Sequence, residues 1–61
     1  MLVLVRVGVA TTRPPAEHSV RHVLVEEENE TAAMLTACLV AAAGPGVVMA
    51  VSAEIVRILE I

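Results

Sequence analysis

The chain has no phenylalanine, tyrosine or tryptophan, no lysine, no aspartate and a single cysteine. Each absence removes a class of function. Without aromatic rings there is no platform on which unpaired bases could stack. Four arginines against seven glutamates, a net charge of −3, offer little to displace counterions from a phosphate backbone. One cysteine can form no intramolecular disulfide, which excludes a stapled secreted miniprotein. Aliphatic residues are what the chain has in plenty. Of its 61 residues 57% are hydrophobic, too many for a disordered tail. The length allows one domain, residues 1–61, because a single core needs most of it.

Such a chain buries only about 60% of the surface its unfolded form exposes. The aliphatic supply therefore exceeds what one small core can hide. A second copy, a lipid phase or a bound partner must cover the rest, and small domains commonly gain stability by oligomerising. The lipid reading rests on Thr31 to Ala53, a run without charge. Three features oppose a span. Gly44-Pro45-Gly46 interrupts the run, Glu26, Glu27, Glu28, Glu30 and Glu54 flank it, and there is neither an aromatic belt nor a basic cluster to orient it. Met1 to Ala10 does not read as a signal peptide, since Arg6 interrupts it and no basic start precedes it.

Val3, Val5, Val7 and Val9 recur at period two between Leu2 and Ala10, the pattern of a strand with one buried face. Thr11 to Ser19, with Pro14 and Pro15, reads as a loop. Val20 to Glu27 reads as a second strand, antiparallel to the first. Asn29 suits a helix N-cap, Glu30 favours the first turn, and Glu30 to Ala43 supplies good helix formers up to Gly44 and Pro45. Ala32, Leu35, Leu39 and Ala42 make one stripe, with Met34, Cys38 and Ala41 beside it. Eleven of those fourteen residues are apolar, so the helix lacks a solvent face. Val47 to Ile61 alternates until Arg57, where parity breaks. A bulged strand explains the break better than a short helix begun at Ser52, because β-branched residues crowd the C-terminus.

The order predicts an α+β fold, β-β-α-β: a three-stranded sheet with one helix packed on a face, completed by oligomerisation. Strands two and three would run parallel about the helix, with strand one antiparallel to one of them. The odd-numbered valines face the helix, which leaves Leu2, Leu4, Leu24, Val48 and Val56 on the other face.

Residues that could carry chemistry are few. Cys38 lies mid-helix among Ala37, Leu39 and Val40, where nothing lowers a thiol pKa and a buried structural role is expected. His18 and His22 stand four apart, a metal-pair spacing on a helix but not in a loop and strand. Zinc would need two more ligands, and only Glu17 and Glu26 are near in sequence. The glutamates from Glu26 to Glu30 end a strand and begin a helix, where carboxylates are favourable without any ligand. Gly44-Pro45-Gly46 follows a helix instead of preceding one, so it is no phosphate loop. Arg13-Pro14-Pro15 is a short polyproline-like segment and no more. No catalytic residue, metal ligand or cofactor is expected.

Glu30-Thr31-Ala32-Ala33, Thr36-Ala37-Cys38, Gly46-Val47-Val48-Met49 and Ser52-Ala53-Glu54-Ile55-Val56 together resemble short proteins encoded by actinobacterial phages. The resemblance covers Val23 to Ile61, about two-thirds of the chain. Arginine without lysine and abundant alanine and valine suit a GC-rich genome. That family carries no assigned activity, so the resemblance implies an origin and no mechanism. The resulting expectation is a small non-enzymatic phage protein in the host cytoplasm. It would act as a homodimer or higher oligomer and contact a host or phage protein through Leu2, Leu4, Leu24, Met34 and Cys38. The alternatives are a membrane-active protein using residues 31–53 and a DNA-binding regulator built from swapped hairpins.

Overall fold

Valine at every second position makes the first strand, and the sheet is built around it. The computed structural model describes residues 1–43 and 48–60. β1 (Leu2–Thr11), β2 (His18–Glu26), α1 (Glu30–Ala42) and β3 (Val48–Glu60) follow in that order. They form the expected α+β arrangement, a three-stranded antiparallel sheet with one helix on a face. β1 lies in the middle, paired antiparallel with β2 on one side and β3 on the other. β2 and β3 do run in one direction, but β1 pairs with both of them and not with one. The strand with the most apolar row takes the place where partners cover both its edges. Val3, Val5, Val7 and Val9 are at most 2% exposed.

The loop between β1 and β2 is shorter at both ends than the Thr11–Ser19 segment that its prolines mark out. Thr11 and His18 already belong to strands. The neck is closed at Thr11, whose N–H donates to the Glu17 carbonyl at 2.9 Å. The Glu17 N–H in turn donates to Thr11 Oγ1 at 2.9 Å. Within the loop the Pro14–Pro15 peptide is cis.

Asn29 caps α1 as its chemistry predicts. Its Oδ1 accepts the Ala32 N–H at 2.8 Å, one of the donors a helix start leaves without an internal partner. The Asn29→Ala variant should lose about 1 kcal/mol. Thermal unfolding would show this as a melting temperature about 4–8 °C lower. At the other end the Ala43 N–H donates to the carbonyls of Leu39 and Val40 at 3.0 and 3.2 Å. The terminator expected at Gly44 and Pro45 lies outside the described residues. Two side chains tie the helix to the sheet. Arg21 Nη1 donates to the Ala41 carbonyl at 2.7 Å, a cation at the negative end of the helix dipole. Thr36 Oγ1 donates to Glu27 Oε2 at 2.7 Å.

The helix turns a different face inward from the stripe of Ala32, Leu35, Leu39 and Ala42. Ala33, Ala37 and Ala41, four residues apart, are at most 2% exposed and lie on the valine row. Leu35 and Leu39 point out, 63% and 73% exposed. The physical reason is room. The valines already fill the layer, and a face of alanines lets the helix backbone come down onto them. Met34 and Cys38 fill in at the flank of this contact, partly buried.

β3 spends thirteen residues on pairing with ten of β1. Register shifts fall between Leu2 and Val3, Leu4 and Val5, and Gly8 and Val9 of β1. Counting along the partner list, each shift leaves one β3 residue over: Leu59, Val56 and Val51. The parity break near Arg57 is therefore a bulge in a continuing strand. An earlier bulge, at Val51, corrects the expected faces. Val48 pairs with Thr11 on the helix side, and Val56 is itself an extra residue, so neither joins Leu2, Leu4 and Leu24 as a regular member of the far face.

Candidate interaction surfaces

Residues paired across an antiparallel ladder share a face, so the register defines the sheet surface away from the helix. Row by row from β2 through β1 to β3, it carries Glu26, Leu2 and Glu60, then Leu24, Leu4 and Arg57, then His22, Arg6 and Glu54. Val20, Gly8 and Ser52 form the next row, and His18, Ala10 and Met49 the last. The centre of this face is polar. Arg6 Nη1 and Glu54 Oε1 form an ion pair there. Their side chains are 46% and 60% exposed, so the pair contributes less than about 1 kcal/mol and serves chiefly to fix positions.

Beside the ion pair an open depression of about 280 Å³ is lined by Arg6, Gly8, Val20, Ser52, Ala53 and Glu54. Gly8 leaves it open. A Cβ at that position would overlap Ser52 Oγ, which a rotation of the serine side chain would relieve, since the next nearest atoms lie 3.7 Å away. Two rows away Leu4 and Leu24 stand side by side, Leu4 half-buried and Leu24 55% exposed.

A second apolar surface lies on the outside of α1. Leu35, Leu39 and Val40 are 63%, 73% and 51% exposed. Along β3 the extra residues Val51, Val56 and Leu59 are exposed, as are Met49 on the face away from the helix and Ile58 on the helix side. The residue types carried the general signal, an aliphatic surplus. They could not identify Leu35, Leu39, Val51 or Leu59 as surface residues, because that depends on the helix rotation and on the bulges. Of the residues expected at an interface, Leu24 is the most open. Leu2 and Leu4 are half-buried on the same sheet face, while Met34 and Cys38 pack on the core at the opposite side. The structure therefore does not gather the five into one patch.

Among the described residues no three His, Cys, Asp or Glu side chains converge in a way that could hold a metal ion. His18 and His22 share the sheet face but are separated by the Val20 row. Among the described residues, too, no helix is long and apolar enough to cross a membrane. The uncharged run 31–53 divides between α1 and β3. Comparison with protein-family models, curated proteins and solved structures gives no match.

Proposed function

We propose that this chain is a non-enzymatic protein that works by self-association and by contact with another protein, as a phage product in the host cytoplasm. One observation carries the reading: the bulkiest aliphatic side chains, leucine, isoleucine and methionine, are left out of the buried core. The buried ones among the described residues are five valines and four alanines. Among the described residues no leucine, isoleucine or methionine is buried. Ten aliphatics among the described residues are 37–73% exposed, six of them leucine, isoleucine or methionine and four valine. A chain selected to stand alone would gain by the opposite placement, since burial of a leucine or isoleucine stabilises by about 1.5–3 kcal/mol. Exposed apolar area on this scale marks a surface that is covered when the protein works.

Static light scattering across a dilution series tests this. The expected mass at micromolar concentration is a multiple of 6.4 kDa, falling on dilution. A species of 6.4 kDa throughout would overturn the self-association reading.

A further inference from the structure

The two outer strands of the sheet present different edges. β3 is interrupted three times by residues left out of the ladder, and bulges twist and blunt an edge against further pairing. β2 pairs with β1 residue for residue from Glu26 to His18 with no register shift. It contains no proline, lysine or glycine, and its one charge on the helix side, Arg21, is engaged by the Ala41 carbonyl, so the edge is less guarded than that of β3.

The hairpin's hydrogen bonds show which backbone groups of β2 are free. Met1 and Glu27 exchange both bonds, at 2.5 and 3.0 Å. At the other end Thr11 N–H donates to the Glu17 carbonyl. Hydrogen-bonded pairs alternate with pairs whose N–H and C=O groups point outward. Odd-numbered residues of β2 therefore bond to β1. His18, Val20, His22, Leu24 and Glu26 aim their amides and carbonyls away from the sheet, on a side where no described strand pairs with them.

We propose that a second copy of this chain adds its own β2 to this edge, antiparallel, about a two-fold axis through His22. The proposal rests on the self-association reading and names its surface. His22 is the midpoint of His18–Glu26, so only this register pairs all nine residues. It sets Val20 against the partner's Leu24 and His18 against the partner's Glu26. On the helix side Ser19 meets the partner's Val25 and Arg21 meets the partner's Val23. No glutamate faces a glutamate and no arginine faces an arginine. The contact is self-complementary in the way a two-fold interface requires. Val20 and Leu24, 56% and 55% exposed, make two apolar pairs with the partner's Leu24 and the partner's Val20, one on each side of the His22 pair at the axis. The result is a continuous six-stranded sheet with β3 at both ends.

A cysteine at the axis tests the register. In a hydrogen-bonded antiparallel pair the Cα atoms are about 5.5 Å apart, inside the range of about 4.4–6.8 Å that a disulfide spans. His22→Cys in a Cys38→Ala background should form a covalent dimer under oxidised glutathione, and Arg57→Cys in the same background should not. Leu24→Pro supplies a second measure, because it removes an outward N–H and leaves the β1 bonds intact. Its dimer should dissociate about tenfold more readily with unchanged circular dichroism. If the wild-type chain scatters as a monomer, the self-association reading fails and this proposal with it. If the wild type is oligomeric but His22→Cys does not cross-link, or Arg57→Cys cross-links as well, the edge proposal alone is overturned. If Leu24→Pro fails to fold, the cysteine pair decides.

Discussion

Ala37→Leu should be among the most damaging single substitutions in this chain, whereas Leu39→Ala, two residues on, should be tolerated. Ala37 has no exposed surface and sits between Ala33 and Ala41 on the valine row. A leucine there adds three carbons where helix and sheet already touch. It would have to adopt a strained rotamer or lift the helix off the valine row. Overpacking of this kind costs about 1–3 kcal/mol, and the upper end applies because both contacting surfaces are backbone-supported. In a domain of this size such a loss lowers the melting temperature by about 10–20 °C. Leu39 is 73% exposed, and its truncation should stay within about 0.5 kcal/mol in dilute solution. Thermal unfolding of both variants checks the claim. The reverse result would mean that the leucine face, and not the alanine face, meets the sheet.

The second large effect is expected at Val5. It has no exposed surface, lies near the centre of the middle strand, and is flanked by Val23 on β2 and Ile55 on β3. Val5→Ala removes two methyl groups and leaves a cavity that a sheet held on both sides cannot close. The expected loss is about 2–3 kcal/mol, transfer and cavity contributions together. A urea titration should show a lower midpoint with the slope unchanged. Val51→Ala makes the control, being half-exposed at a bulge, and should shift the midpoint little. Equal effects at Val5 and Val51 would contradict the described core.

What the residues disclosed in advance was local. Period-two valines, the Asn29 cap and the apolar run up to Ala43 identify their elements because each signal acts over a few residues. The order of the strands did not follow. Pairing is decided between distant segments, and both β2 and β3 were eligible neighbours for β1. The rotation of α1 was hidden for another reason. With alanine, leucine, methionine and valine almost all round, the helix has no polar face to fix its phase. Side-chain size decided instead, through the depth of the valine layer. β3 concealed its bulges because aliphatic residues follow one another from Val47 to Val51 and again from Ile55 to Leu59, interrupted only by Arg57, so an inserted residue breaks no visible pattern. The candidate surface inherits all three uncertainties. Leu24 was identifiable from alternation alone. Leu35, Leu39 and Val51 needed the fold.

The three interruptions in β3 also set a limit on growth. In the language of polymer chemistry, a subunit with two reactive ends propagates and a subunit with one terminates. A flat sheet with two regular edges is of the first kind and can add copies into a fibre. Here one margin is orderly and the other is broken at Val51, Val56 and Leu59. On the proposed pairing such a subunit would couple once, at β2, leaving β3 at both ends of the product. A protein this rich in valine and leucine would then carry a regular edge strand without propagating into a fibre.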